Sequence, residues 1–281
     1  MLNKNIKSPV NIPVSKIHPF EGNPYKVLDN DEMNNLICSI QEQGILTPII
    51  IRPIENTDEY EVISGHRRLH ATVKAGMKEV PAFIYAVSRD EAAIMLVDSN
   101  LHREHILPSE KAFAYKLKLE AMKHQGITCG QVGHKSRDEI SDTDSGRQIQ
   151  RYIRLTYLIP ELLDLVDEEK IALTPAVELS YLTDEEQYAL LGSIEVEDRT
   201  PSLSQAVRFK KLSQTGNLSD DDIETIMQED KANQKPMFKV SMEKLQEIAP
   251  RVKDKDFEDF VLKACEHYYR YLLRQRDRDS R

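Results

Sequence analysis

A glycine followed at once by basic residues is the first pattern in this sequence that points to chemistry. The segment Tyr60–Ala71 reads YEVISGHRRLHA, in which an apolar run predicts a strand and the residues after Gly65 predict a helix. Glycine permits a tight turn and the close approach of a ligand, and a helix N-terminus presents unpaired N–H groups to anions. Arg67 and Arg68 add guanidinium groups that suit phosphate oxygens. The pattern predicts a phosphate-binding turn, and an ordinary helix start with two surface arginines is the alternative.

A second polar cluster follows an apolar helical stretch further along the chain. It reads DSNLHR over Asp98–Arg103 and supplies an amide, an imidazole and a guanidinium within four residues. Such groups complete phosphate or metal sites, with Asn100 as the candidate oxygen ligand for a metal. The candidates are Asn100, His102 and Arg103, and a polar loop between helices is the alternative interpretation.

A third pattern is a helix with an arginine face. Residues 147–157 read RQIQRYIRLTY, with arginines at i, i+4 and i+7 and apolar residues on another face. In the major groove, glutamine pairs with adenine, and arginine pairs with guanine or phosphate. Ser136–Ile140 is the predicted preceding helix of a helix-turn-helix, although the turn between them is shorter than usual and carries two acids. A solvated arginine face is the alternative. The predicted DNA contacts are Arg147, Gln148, Gln150, Arg151 and Arg154.

The elements that must position these residues alternate between strand and helix at first and are helical from Leu101 onward. Strands are predicted at Val10–Val14, Ile49–Ile51, Tyr60–Ile63 and Val80–Ala86. Helices are predicted at Asp31–Gln43, 65–75, Ser109–His124, Gly146–Leu158, Glu161–Glu169 and Phe257–Gln275. Further helix starts are predicted after Ser88, Thr183 and Ser219, and at Pro201 as a first helical residue.

These elements predict an α+β protein in four parts. Residues 1–97 form an α/β nucleotide-binding domain, and residues 98–215 form an all-α DNA-binding domain with the helix-turn-helix. Residues 216–236 are a linker, and residues 237–281 are a helical segment whose apolar stripe favours dimerisation.

Composition narrows the class of protein. The 281 residues carry a net charge of −9, yet residues 161–198 alone hold twelve acidic residues and one basic residue. The rest of the chain is therefore slightly basic, and nucleic acid stays open as a partner. No apolar run approaches the ~20 residues of a membrane span, and residues near the start show no apolar signal core, so we expect a cytoplasmic protein. The three isolated cysteines disfavour a disulfide framework and a zinc ribbon.

Three boxes in order carry a resemblance to a known family. They are Gly44–Arg52, then Tyr60–Ala71, then Asn100–Glu104 with Leu107–Glu110, and the resemblance covers roughly Val10 to Ser180. In order and spacing the boxes resemble the ParB family of chromosome and plasmid partition proteins. The resemblance implies an N-terminal domain that binds CTP and Mg²⁺ and closes as a clamp on double-stranded DNA, in a nucleoid-associated homodimer with a ParA-like ATPase partner. It implies triphosphate contacts by Gly65, His66, Arg67, Arg68, Asn100, His102 and Arg103, and a nucleotide pocket lined by Thr47, Pro48 and Arg52.

Two departures from the family pattern bear on hydrolysis. His66 and Ser99 stand where the family has acidic residues, and a hard cation gains little from an imidazole. We therefore expect nucleotide binding to be more secure than hydrolysis, with a weak CTPase activity left open. Two alternatives also stay open: a DNA-binding transcription or maintenance regulator of a mobile element that no longer uses CTP, and a ParB-like-fold enzyme of the small-molecule kinase type.

Overall fold

The computed structural model describes residues 8–101, 103, 105–125, 144–229 and 257–279, and residues 246, 249 and 252. The chain divides into two compact units, residues 1–229 and residues 230–281. The predicted first helix of the helix-turn-helix, Ser136–Ile140, and residues 230–236 of the predicted linker lie outside the described residues.

A mixed sheet carries the N-terminal part of the first unit. Its described strands are β1 (Val10–Pro13), β2 (Ile17–His18), β3 (Ile49–Pro53), β4 (Tyr60–Ser64) and β5 (Glu79–Ile84). They lie in the order β1-β5-β3-β4-β2. The pairs β1/β5 and β3/β4 are antiparallel, whereas β3/β5 and β2/β4 are parallel. Ile51 lies opposite Val62 at the centre, and both side chains are fully buried.

Helices close over this sheet, and their boundaries follow local signals. The helices are α1 (Asp31–Gln43), α2 (His66–Lys74), α3 (Arg89–Asp98) and α4 (Pro108–His124). The side chain of Asn30 accepts a hydrogen bond from the Met33 N–H and so caps α1. Ser88 begins α3 through the predicted capping box with Glu91.

Helix α4 has an apolar surface on two sides. Ala114 and Ala121 pack in the same buried cluster as Ile63 of β4 and Leu96 of α3. Tyr115 of α4 is buried against Ile149. The helix therefore joins the sheet domain to the helical part that follows.

The rest of the first unit is helical. Its helices are α5 (Gly146–Arg154), α6 (Pro160–Asp167), α7 (Leu173–Leu179), α8 (Asp184–Glu197), α9 (Leu203–Gln214) and α10 (Asp220–Gln228), with a 3₁₀ turn at Leu155–Tyr157. Leu162, Leu179, Leu190 and Phe209 are fully buried at the centre of their core. Thr183 and Ser219 begin α8 and α10 through capping boxes, as the sequence predicts. The α+β fold class is confirmed.

Three predictions in this region were wrong in detail. Pro201 is not a first helical residue, because Ser202 caps α9 and the helix begins at Leu203. The linker predicted at 216–236 contains α10, which is part of the core because Ile223 and Ile226 are buried there. The helix predicted to reach Leu158 ends at Arg154 and continues only as a 3₁₀ turn.

In the second unit the described helix is α11 (Phe257–Asp279). The side chains of Leu262, Tyr268 and Tyr269 are largely exposed on it. The rings of Tyr268 and Tyr271 stack with their centroids 6.2 Å apart.

Candidate functional site: a basic recess and an arginine groove

The turn at Gly65 brings backbone amides to the surface of the sheet domain. Gly65 follows β4 and adopts φ = +104°, a left-handed conformation that favours glycine. A Cβ at this position would lie 2.7 Å from Cγ2 of Ile49, so a side chain does not fit without movement. Among the described residues no side chain caps the first turn of α2. The N–H groups of that turn are therefore open to an anion.

A small recess, partly open to solvent, lies at this turn. Five of the predicted nucleotide-site residues line it, and three basic side chains are among the described residues at its wall. The lining residues are Asn23, Tyr25, Lys26, Val27, Gly65, His66, Arg67, Asn100 and Arg103. The tertiary structure thus joins the first and second sequence clusters in one cavity.

His66 enters the recess as a neutral imidazole. The backbone N–H of Phe20 donates a hydrogen bond to its Nε2 at 3.3 Å, so Nε2 carries no proton. Burial and the nearby Arg103 charge lower the pKa of His66 to about 4, although Glu61 acts in the opposite direction. At neutral pH the ring therefore offers one N–H donor, at Nδ1, and carries no charge.

Asn100 and Arg103 approach the recess from the end of α3. Asn100 is buried, and its Nδ2 donates to the carbonyl of Leu96 at 2.7 Å and to Ser99 Oγ at 3.2 Å. Both Nδ2 bonds hold the amide in one orientation, and its Oδ1 is the group suited to a cation. The Arg103 guanidinium lies 5.4 Å from the ring centroid of Tyr25, which is itself buried. Predicted His102 lies outside the described residues.

Four other predicted nucleotide-site residues, Thr47, Pro48, Arg52 and Arg68, are not among those that line the recess. Arg68 Nη1 donates to the carbonyl oxygens of Thr47 at 2.5 Å and Pro48 at 2.8 Å, and burial lowers the pKa of Arg68. Arg52 is buried in an ion pair with Glu61, with both nitrogen–oxygen distances at 2.7 Å. In this structure Arg68 Nη1 holds the backbone that precedes β3, and Arg52 links β3 to β4 through Glu61.

Sequence reasoning missed one whole wall of the recess. Asn23, Tyr25, Lys26 and Val27 belong to the irregular segment between β2 and α1, which has no periodicity to interpret. The indication that the sequence offered for this wall was the basic side chain of Lys26, because a positive charge beside a phosphate site strengthens phosphate binding.

Lys26 also contacts the helical part of the unit. Its Nζ lies 3.4 Å from Asp167 and 3.5 Å from Asp164 of α6. Burial opposes the Lys26 charge, but the two carboxylates outweigh it and raise the pKa of the ammonium. Asp167 in turn accepts hydrogen bonds from the N–H (2.9 Å) and Oγ (2.5 Å) of Ser109, at the start of α4. The recess, α4 and α6 therefore meet at one carboxylate.

Helix α4 carries this connection to the start of α5. The Lys26 N–H donates to Oε1 of Glu110 at 2.9 Å, in the first turn of α4. Further along α4, Lys111 and Tyr115 contact the same carboxylate of Asp144, at 3.2 and 2.5 Å. Asp144 directly precedes Ser145, the N-cap of α5.

A groove of roughly 750 Å³ lies along the N-terminal half of α5. Ile149 of α5 is fully buried, whereas Arg147 is exposed. The groove is lined by Ser145, Arg147, Gln148, Arg151, Thr174, Val177 and Glu178. Three predicted DNA contacts therefore share one surface with α7, whereas Gln150 and Arg154 are not part of it. Arg151 is held toward α7 by a 2.6 Å hydrogen bond from Nη2 to Thr174 Oγ1.

The described part of the chain contains neither a membrane-spanning helix nor a cluster of metal ligands. Across the described ranges, no helix has the length and apolar character needed to cross a bilayer. Within the same part of the chain, no three His, Cys, Asp or Glu side chains are grouped so as to hold a metal ion.

The sequence of this chain is similar to those of known proteins. Residues 2–101 match the ParB N-terminal domain family. The chain is 32% identical over 162 residues to the chromosome-partitioning protein Spo0J of Thermus thermophilus, covering 58% of this chain and 56% of that protein. It is 33% identical over 131 residues to a nucleoid occlusion protein of Listeria monocytogenes serotype 4a, covering 47% of this chain and 45% of that protein. The chain spans about half the length of the curated relatives it matches.

Among solved structures, the chain is similar to the C-terminally truncated chromosome-partitioning protein ParB from Caulobacter crescentus, complexed to the centromeric parS site. The TM-score is 0.42 at 19% identity, and the match covers 78% of this chain and 98% of that one.

Proposed function

We propose, from the premise that residues 2–101 are a ParB N-terminal domain, that the chain is a DNA-binding protein of the chromosome-partition and nucleoid-occlusion kind with CTP as its switch. The observation that carries the nucleotide part is that Lys26, Arg67 and Arg103 line one recess at the N-terminus of α2, where Arg67 also pairs with Glu32 at 3.1 Å. Charge-assisted hydrogen bonds contribute about 1.5–3 kcal/mol each. Three or four of them hold a polyphosphate at micromolar concentration.

In this proposal the recess holds the phosphates. Gly65 and the first N–H groups of α2 bind phosphate oxygens. Arg67, from the second sequence box, and Arg103, from the third, form ion pairs with the same phosphates. Lys26 is a further phosphate contact, supplied by the wall of the recess that the sequence analysis did not identify. Thr47, Pro48, Arg52, Arg68 and His102 stay predictions for the nucleotide pocket.

Mg²⁺ fits the recess only in company with the nucleotide. Mg²⁺ keeps near-octahedral oxygen coordination and is commonly bound through few protein oxygens plus substrate phosphates. Asn100 supplies one such oxygen, since its Nδ2 is committed to Leu96 and Ser99. The triphosphate and water would supply the remaining ligands.

His66 separates binding from hydrolysis. The neutral imidazole accepts the Phe20 N–H and has a lowered pKa, so at neutral pH it can donate a hydrogen bond but cannot replace a carboxylate at a cation. We infer that CTP is bound and turned over slowly. The second candidate is a DNA-binding regulator in which the recess no longer takes CTP.

The DNA part of the proposal rests on the groove along α5. Arg147, Gln148 and Arg151 present guanidinium and amide groups on one surface, which suits contacts to phosphate and base edges in a major groove. The path from Lys26 through Glu110 and α4 to Asp144 joins the recess to the start of this helix. A homodimer, a nucleoid location and a ParA-like ATPase partner follow from the family resemblance.

Calorimetric titration of the full chain with CTP and with ATP, each with Mg²⁺, tests the nucleotide part. We expect micromolar binding of CTP, a loss of affinity in Arg67→Gln, and none in Arg89→Gln. Arg89 is the matched control because it is an exposed arginine of the same domain that does not line the recess. Wild-type protein that binds neither nucleotide would favour the second candidate.

Pull-down of fragmented genomic DNA with the tagged chain tests the DNA part. A sharp peak with flanking enrichment indicates a protein that loads at one site and spreads, and a narrow peak indicates an operator-type regulator. The absence of any enriched fragment would refute both candidates.

A further inference from the structure

Arg154 lies at the C-terminal end of α5, where its guanidinium is bound to the neighbouring helix. Its Nε donates to Ser180 Oγ at 3.0 Å, and its Nη2 donates to the Ser180 carbonyl oxygen at 2.6 Å. Ser180 is the C-cap of α7 and is almost fully buried. A two-point hydrogen bond to a buried helix end fixes both the position and the plane of the guanidinium.

Two aromatic rings flank the same guanidinium. Its Cζ lies 3.9 Å from the ring centroid of Tyr181 and 4.4 Å from that of Tyr157, both within cation–π range. The ring of Tyr181 is also contacted by Lys210 of α9, whose Nζ lies 3.8 Å from the centroid and 2.8 Å from Glu178 Oε2. The aromatic contacts therefore extend the attachment of α5 to α7 and α9.

The two ends of α5 are thus held in different ways. At its start, Asp144 is bound by Lys111 and Tyr115 of α4. At its end, Arg154 is bound by Ser180 and stacked on Tyr181. Because α5 has only nine residues, these two attachments set the angle at which its outer face is presented.

We propose that Arg154 is a positioning residue, which holds α5 at the angle required for duplex binding and makes no contact with DNA itself. The proposal rests on α5 being the duplex-binding helix. It assigns DNA contact to Arg147, Gln148 and Arg151, and it separates Arg154 from them although all the arginines share one sequence pattern. The Ser180 bonds and the two rings hold the guanidinium against α7, so Arg154 can act on DNA binding through the position of α5.

The salt dependence of DNA binding distinguishes the two roles. Each phosphate contact contributes about 0.9 to the slope of log K against log salt. We expect Arg147→Gln, the matched control, to lower this slope by about that amount per subunit. Arg154→Gln should weaken binding roughly tenfold, comparable to one mismatched base pair, and leave the slope unchanged. A slope reduced as in Arg147→Gln would overturn the proposal.

Arg154→Lys provides the second readout and keeps the charge. A lysine satisfies a phosphate but cannot reproduce a planar two-point bond between two rings, so we expect it to bind DNA as weakly as Arg154→Gln. Rescue of wild-type affinity by lysine would overturn the proposal. Thermal melts of each variant establish that it is folded at the assay temperature.

A double-mutant cycle with Tyr181→Ala completes the test. If Arg154 acts through this attachment, the double variant binds DNA no more weakly than the weaker single variant, because both changes break one link. Losses that multiply would contradict it. Failure of wild-type protein to bind any duplex, or an Arg147→Gln variant with unchanged affinity and slope, would refute the proposed function of α5 rather than the role of Arg154.

Discussion

The buried imidazole of His66 makes the stability of the protein depend on pH in a specific direction. In the folded chain, burial and Arg103 hold the pKa of His66 at about 4, against an ordinary value of 6.5. As the pH falls, the unfolded chain therefore binds a proton first. At a pH above 6.5, the pKa of His66 in the unfolded chain, His66 does not change the free energy of unfolding. As the pH falls from 6.5 to about 4, the pKa of His66 in the folded chain, the free energy of unfolding decreases.

The size of the effect follows from the two pKa values. A difference of one pKa unit corresponds to about 1.4 kcal/mol. The difference between the two pKa values of His66 therefore lowers the free energy of unfolding by at most about 3 kcal/mol. Most of that loss, about 2 kcal/mol, is reached by about pH 5. Protonation in the folded state would also break the hydrogen bond from the Phe20 N–H to Nε2 and place a charge near Arg103.

Urea denaturation of wild-type protein and His66→Gln across this pH range measures the effect. Glutamine accepts the Phe20 N–H through its side-chain oxygen but does not titrate, so the variant should lose about 2 kcal/mol less than wild type between about pH 7 and about pH 5. NMR titration of the ring should place its folded pKa at about 4. Equal losses in the two proteins, or a ring that titrates at the ordinary value, would refute the reasoning.

Three further predictions concern the recess. Gly65→Ala combines a positive φ with a Cβ 2.7 Å from Ile49, so thermal melts should show that the free energy of unfolding falls by about 2 kcal/mol. The control Gly44→Ala should lose less, because φ is also positive there but nothing lies within 4 Å. Equal losses in the two variants would show that the contact with Ile49 has no effect on stability. Arg67→Gln should weaken CTP binding about tenfold or more by calorimetry, with Arg67→Lys intermediate, and an unchanged Kd would exclude Arg67 from the phosphate site. Lys26→Gln should weaken CTP binding and reduce the effect of CTP on DNA affinity, measured by fluorescence anisotropy, whereas an undiminished effect would show that this contact does not couple the two.

The residues of the recess show how far sequence reasoning reaches. Gly65 and Arg67 were predicted because their roles depend on local order: a strand, a glycine that permits positive φ, and the first turn of a helix. Asn100 and Arg103 were predicted as a second cluster, which the family resemblance joined to the first, and the structure places them in the same cavity. Lys26 was missed because an irregular segment gives no period, and its position depends on Glu110 and the carboxylates of α6.

For three arginines, the sequence did not reveal the partners that they have within the protein. Arg68 and Arg154 were predicted as ligand contacts from their type and spacing, and Arg52 from the family resemblance; each also has partners within the protein. Arg52 pairs with Glu61 and Arg68 with carbonyl oxygens, while Arg154 joins α5 to the end of α7. A helical wheel states which residues share a face, but it contains no information on what packs against that face.

The sequence by itself determined the helix boundaries that caps and glycines define, the strand–glycine–helix turn, and the α+β class, because these depend on interactions within a few residues. The tertiary structure alone decided which partner each charged side chain has within the protein. That choice depends on partners distant in sequence, such as Glu61, Asp167 and Ser180, whose approach is set by how the sheet and the helices pack.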